Sequence, residues 1–238
     1  MVLLGTTVNV ICIIIGTLLG RFLQNIPEKM KDTVMYAIGL SVIVLGIQMG
    51  FQSENFLVVI ISLVLGAVLG EWWALEDKLN KVGQWLESKM GKGKSGSIAQ
   101  GFVTATLIFT IGAMATIGAL DSGMRNDHNV LYTKSLLDGF TSLILSTTLG
   151  IGVIFSVIPV AVYQGSIALF ATQINQLVPQ ELMDVFINEM TATGGLMIFA
   201  IGLNMVGLTK IRVANLLPGI LVVAVIVTVM NVLSSNLM

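Results

Sequence analysis

Charge is what this sequence has least of. Its 238 residues include 12 Lys or Arg and 13 Asp or Glu, or 11%, while 55% are apolar. Soluble chains carry about 25% charged residues, so a surface this poor in charge faces lipid, and a mean hydropathy of +0.93 agrees. A single cysteine, Cys12, excludes a disulfide framework, and a single histidine, His128, excludes the usual zinc clusters. The ten-residue alternating strands of a membrane barrel are missing, as are GxSxG, HExxH and CxxC motifs. No enzyme is expected, and no cofactor. The GKGKSG segment at 91–96 lacks the spacing of a phosphate loop, and a net charge of −1 gives no sign of a nucleic-acid partner.

What is present is a series of long uncharged runs. About 20 apolar residues cross about 30 Å of hydrocarbon, and eight crossings fit the sequence: 2–19, 33–51, 56–70, 98–120, two within 139–178, 191–209 and 213–238. The 40-residue uncharged run 139–178 is divided at Pro159, where a helix breaks most easily. The first run has neither a basic leader nor a small-residue cleavage site and reads as a retained span. The 25 glycines suit membrane helices, where glycine is more frequent than in soluble ones. The expected fold is therefore an all-α polytopic bundle of about eight spans, a single membrane domain in the lipid bilayer.

Basic residues orient it, because cytoplasmic loops are enriched in them. Arg21, Lys29, Lys31, Lys78, Lys81, Lys89, Lys92, Lys94, Lys210 and Arg212 fall on one side, and Arg125 and Lys134 on the other. Both termini and Ser53 are expected outside, with Lys92 in the cytoplasm. Between 71 and 97, Leu75, Leu79, Val82, Leu86 and Met90 recur at helical spacing among charges, beside Trp72, Trp73 and Trp85. That pattern reads as an amphipathic helix on the membrane surface, followed by a flexible linker.

The chain also resembles itself. GLSVIVLGIQM at 39–49 matches GLMIFAIGLNM at 195–205, and LQNIPEKMKD before it matches INQLVPQELMD, each with one proline and a closing Asp. Asn55-Phe56-Leu57 and Asn215-Leu216-Leu217 open the following spans. If spans one to three correspond to spans six to eight, the offset is odd and the triplets are inverted. This is a 3+2+3 plan of a first repeat at 1–75, the surface segment at 76–97, two central spans at 98–158 and a second repeat at 159–238, and it places Gly46 opposite Gly202.

Ionisable and amide groups at span depth are the candidate binding residues. Asp138 opens the uncharged run beside Thr141 and Ser142, and reads equally as a helix cap and as an ion site. Run 111–123, IGAMATIGALDSG, carries Thr116 and Asp121 and reads either as tight packing or as a broken helix offering its backbone to a ligand. Asn9 and Asn204 are amides able to coordinate a cation or to bond across helices, and Glu189, just before span seven, either caps the surface or faces a cavity. His128, in a polar connection, is expected to be solvated. Gly16/Gly20 and Gly66/Gly70 have the small-xxx-small spacing of a packing or homo-oligomer face.

Several stretches together, QGF at 100–102, GAMATIGALDSG at 112–123, KSLLDGFTS at 134–142, LGIGV at 149–153, GTTVN at 5–9 and KIRVANLLPG at 210–219, resemble the bacterial family known as domain of unknown function 554, the YdfK-like membrane proteins. The resemblance implies a multispanning protein of the bacterial inner membrane and no particular substrate. The residues themselves lead to a secondary transporter or channel-like carrier for an ion or small solute, with a non-transporting scaffold as the rival.

Overall fold

A computed structural model describes residues 1–22, 28–90 and 97–237, and all regular structure among them is helical. Ten α-helices follow in order: α1 Leu4–Phe22, α2 Glu28–Gly50, α3 Phe56–Trp73, α4 Leu75–Met90, α5 Ser97–Thr110, α6 Ala113–Arg125, α7 Asn129–Leu149, α8 Val157–Leu177, α9 Gln180–Met205 and α10 Pro218–Leu237. Short 3-10 segments, Gly150–Ser156 and Val213–Leu216, precede α8 and α10. The 91–96 linker, with Lys92, and part of the LQNIPEKMKD match at 23–27 lie outside the described residues.

Six of the described helical segments are long and apolar enough to cross a membrane, or seven if the bent pair α5 and α6 is one crossing; 129–177 counts there as a single stretch. That stretch folds back on itself. The Asn9 amide nitrogen reaches Asp138 Oδ2 at 3.0 Å and Gln164 Oε1 at 3.3 Å, whereas a straight helix would separate residues 138 and 164 by about 39 Å. The turn lies at Gly150–Ser156, where Gly150 takes φ 71°. Pro159 is not the break: it sits in the first turn of α8, where its missing N–H costs no helical bond. Helix α7 begins at Asn129, so Lys134 and Asp138 lie within a helix rather than in a loop and at a helix start.

Neighbour relations fix the directions. Gly5 meets Leu131, Gly16 meets Gly139 and Ser142, and Gly20 meets Leu143 and Ser146, so α1 and α7 run parallel. Helices α2 and α9 are antiparallel, with Gly39 against Gly202 and Gly46 against Gly195 and Phe199. Gly46 therefore does not face Gly202, as the repeat led us to expect. The contacts form two crossed pairs instead, with Met49 against Gly195 and Met205 against Gly39. On α3, Gly66 meets Gly219 and Gly70 meets Asn215 of the antiparallel α10 and its 3-10 entry. One face of the bundle carries Met1, Ser53 and Asn126, and is called here the N-terminal face; the other carries α4 and the 150–156 turn.

Helix α9 is central. Its span is 72% buried against 22–39% for the other candidate spans, and Met197, Ile198 and Ile201 join Phe109, Leu145, Leu149 and Val153 in the main apolar core. Surrounding lipid is as apolar as leucine, so burying such groups gives little drive between helices, and close backbone approach through small residues takes its place. A Cβ on Gly195 would lie 2.8 Å from the Gly46 carbonyl oxygen and 2.6 Å from Met49 Cβ, and one on Gly202 would lie 2.8 Å from the Gly39 carbonyl oxygen.

Helix α4 covers the segment expected to be an amphipathic helix, and its Trp85 is exposed. The run 111–123 contains a true break. α5 and α6 meet at 61°, Gly112 takes φ 138°, and the pair runs from Ile98, beside Gly152, to Asn126, beside the N-terminus. Small residues also serve packing there, Gly118 against Leu131 and Gly123 against Ala168 and Ala171.

Crowding at α2 and α9 generates a test. Gly195→Val should lower stability by about 1–3 kcal/mol through overpacking, read as a lower midpoint of thermal unfolding in detergent. At Gly50 a Cβ meets only Leu196 at 3.8 Å, so Gly50→Ala should be neutral or stabilising by about 0.5–1 kcal/mol.

Candidate functional site

Four polar side chains from three helices meet inside the bundle. Asn9 and Gln164 are fully buried, and Asp138 and Lys134 are 4% and 7% exposed. Lys134 Nζ donates to Asp138 Oδ1 at 3.0 Å within α7, since residues four apart share a helix face. Asn9 of α1 then links the other carboxylate oxygen to Gln164 of α8, using both its N–H groups. Two atoms are left over: Asn9 Oδ1, an acceptor, and Gln164 Nε2, a donor, are buried without a partner. Buried polar atoms are nearly always bonded, so this cluster is one partner short.

Along the helices, polar contacts lie toward one end from the cluster and apolar side chains toward the other. Toward the N-terminal face, Ser122 Oγ donates to the Val2 carbonyl at 2.9 Å and lies 2.6 Å from His128 Nδ1. With the hydroxyl proton directed at Val2, the imidazole donates from Nδ1. His128 is therefore 9% exposed and bonded, not solvated as expected from its polar neighbours, and its ring leans on Tyr132. The N-terminal ammonium reaches Asn126 Oδ1 at 3.5 Å. In the other direction along α1 and α7, Ile13 and Leu145 are fully buried in the main apolar core.

Asp138 cannot be a helix cap, because it stands nine residues inside α7, whose first free N–H at Asn129 bonds Asp127 Oδ1 instead. Of the sequence candidates, the structure joins Asn9 and Asp138, and it adds Lys134 and Gln164, which the sequence reading missed. The Lys-x-x-x-Asp spacing at 134–138 was the available signal for the lysine, and Gln164 is the first amide in the uncharged run.

The other candidates disperse. Asp121 pairs with exposed Arg125 one turn on, at 2.8 Å. Thr116 bonds Tyr163 Oη at 2.9 Å beside an apolar crevice of about 370 Å3 between α6, α8, α9 and α10. Thr141 faces a second apolar crevice, of about 340 Å3, shared with α2. The Ser142 hydroxyl bonds the Ile13 and Gly139 carbonyls. Asn204 holds the 209–211 loop, accepting from Thr209 Oγ1 and the Ile211 N–H and donating to the Ile211 carbonyl; it borders a polar cavity of about 360 Å3 that also takes in Glu76, Gln100 and Lys210.

Glu189, 1% exposed, ties down the turn before α3: Oε2 accepts from Ser53 Oγ at 2.7 Å, and Oε1 from the Glu54 and Asn55 N–H groups at 2.9 Å each. It also borders a cavity of about 440 Å3 with Glu54 and Glu181. Among the described residues, no three His, Cys, Asp or Glu side chains are grouped to hold a metal.

Residues 4–228 match the family described as "Protein of unknown function (DUF554)". The chain belongs to that family. It is 33% identical over 232 residues to the "Uncharacterized membrane protein YdfK" of Bacillus subtilis (strain 168), covering 95% of this chain and 96% of that protein. Over 223 residues it is 30% identical to the "Uncharacterized protein YqgA" of Escherichia coli (strain K12), covering 92% and 93%. No solved structure matches. Membership in DUF554 and the apolar helices together identify a membrane protein.

Glu189 offers a direct test of the structural side of this arrangement. Glu189→Ala leaves three donors at the α2–α3 turn unmet and should cost about 1–3 kcal/mol. Glu189→Gln keeps one acceptor oxygen for the two N–H groups and should retain most of the stability, as thermal unfolding of the two variants will show.

Proposed function

We propose that this DUF554 protein is a secondary transporter or channel-like carrier for an ion or small solute, with its binding centre at Asn9, Lys134, Asp138 and Gln164. The observation that carries the reading is the cluster itself. A lysine, a carboxylate and two amides held at span depth are costly in a bilayer, and such groups in membrane proteins mark ion or solute pathways. Buried hydroxyls elsewhere in the bundle, such as those of Thr17, Ser62 and Thr193, are also unpartnered, but only here among the described residues do an unmet acceptor and an unmet donor stand on amides bonded to each other and to a charged pair. The broken α5–α6 pair adds support, because discontinuous helices line the binding sites of many carriers.

The proposed topology is eight crossings in an inverted 3+2+3 arrangement in the bacterial cytoplasmic membrane, with both termini outside. The fold-back at 150–156 supports counting α7 and α8 separately. The crossed contacts of α2 and α9 support the inversion: exchanging residues 39–49 for 195–205 turns the Gly39–Gly202 contact into the Gly195–Gly46 contact. Orientation rests on the basic residues, and the burial of Lys134 leaves Arg125 as the sole Lys or Arg of the sequence in the outer loops under this topology.

On a background lacking Cys12, a cysteine at Asn126 should react with a membrane-impermeant maleimide in intact cells, and one at Lys81 only after permeabilisation. The reverse pattern would invert the topology. Function is tested by reconstituting the protein in liposomes and screening uptake of inorganic cations and small polar solutes. Asp138→Asn should abolish the uptake found while the protein remains folded. Glu189→Gln should leave it within about twofold, a difference under 0.5 kcal/mol. Full uptake by Asp138→Asn would remove the cluster from the pathway, and a protein that moves nothing across the screen would favour the scaffold reading.

A further inference from the structure

The cluster of the previous section has a size and a charge that narrow its ligand, and this argument rests on the reading of that cluster as a binding centre. Each of the four cavities described above is lined by other residues, and the cluster residues are at most 7% exposed. A ligand reaching Asp138 must therefore take the place of something already there. The group in place is the Lys134 ammonium, 3.0 Å from the carboxylate. Its departure would vacate room for one ammonium-sized ion.

Lys134 stands near one end of its helix. It is the sixth residue of α7, about 7.5 Å below the helix start at 1.5 Å per residue, within reach of a lysine side chain extending toward the membrane surface. Asp138 Oδ1 is then left without its partner, Asp138 Oδ2 and Gln164 Oε1 still accept from the Asn9 amide, and Asn9 Oδ1, which the ammonium does not reach, is a further unpartnered oxygen of the same cluster. Oxygen donors suit hard cations, and a single carboxylate balances a single positive charge. Divalent calcium takes six to eight oxygens, commonly with several carboxylates, and no group of three acids or other metal-binding side chains stands here.

We infer that Asp138, Asn9 and Gln164 form a site for a monovalent cation of ammonium size or smaller, and that Lys134 is a tethered competitor occupying that site until the cation displaces it. Charge at membrane depth is then the same in both states, because one positive ion always faces Asp138. No proton transfer or covalent step is involved.

The competitor is tested by removing it. Purified wild-type protein, Lys134→Met, Asp138→Asn and the double variant Lys134→Met/Asp138→Asn are unfolded thermally in sodium, potassium, ammonium or choline chloride at equal ionic strength, choline being too large for the site. Lys134→Met should be stabilised by at least one of the small cations over choline, with a half-saturating concentration at least tenfold below that of wild type. Asp138→Asn and the double variant should respond to all four salts alike.

If Lys134→Met fails to fold in choline, recovery of folded protein in a small cation supports the site; failure in every salt, with the double variant folded, overturns it. Equal response of Lys134→Met to choline and to the small cations overturns it as well. Selective stabilisation without flux in proteoliposomes would refute the carrier and leave this site standing. Flux with no cation selectivity in Lys134→Met would do the opposite.

Discussion

Helix α1 lies against α7 backbone to backbone, and the rest of the interior is arranged around that contact. Gly16 and Gly20 leave no side chain between α1 and the Gly139 and Leu143 carbonyls, so the helices approach as closely as membrane packing through small residues allows. The same closeness carries Asn9 to Asp138. Any side chain at Gly16 would push α1 outward, and the amide would lose both the carboxylate and Gln164. The glycines first read as a face for packing or self-association thus pack within one chain and set the polar centre.

Polar groups elsewhere serve as ties at the two faces. Glu189 holds the 53–55 turn, and on the opposite face Glu71 meets Arg212 at 2.7 Å and also Asn215, while Glu76 accepts from the Ala214 N–H. These contacts fasten loops and the start of α4, leaving no donor of Glu189's three unmet. The centre at Asn9 differs in kind: its charges are matched, yet its amides are not. Burial alone does not make the distinction, since Glu189, 1% exposed, is more buried than Asp138 or Lys134.

Hydropathy made the helical membrane architecture and the amphipathic helix α4 legible in the sequence, whereas the glycine match of α2 and α9 pointed to the right helices but to the wrong pairing, Gly46 with Gly202. Helix ends were less legible. An absence of charge was taken as the mark of a span, which pushed the starts of α7 and α9 inward by about ten residues and left Lys134 in a loop. The lysine escapes that rule because Asp138 cancels its charge one turn away. His128 was misjudged for a related reason: the bond to Ser122 and the cover of residue 2 are tertiary events with no local signal. Asn9 and Asp138 were each visible as polar groups in apolar surroundings. Their meeting was not, because it depends on a reversal at 150–156 that contains no proline and no charge.

The fold-back at 150–156 also bears on how the protein is made. Asn9 lies on α1, and its partners follow 129 and 155 residues later in the chain. Until α7 and α8 have been inserted and paired, α1 waits in the bilayer with an unmet amide, dependent on lipid headgroups, water or the insertion machinery. Contacts this distant in sequence are slow to form because the intervening chain must first be ordered. The polar centre is thus a late product of biogenesis, and its completion marks the point at which the first helix and the second half of the chain become one body.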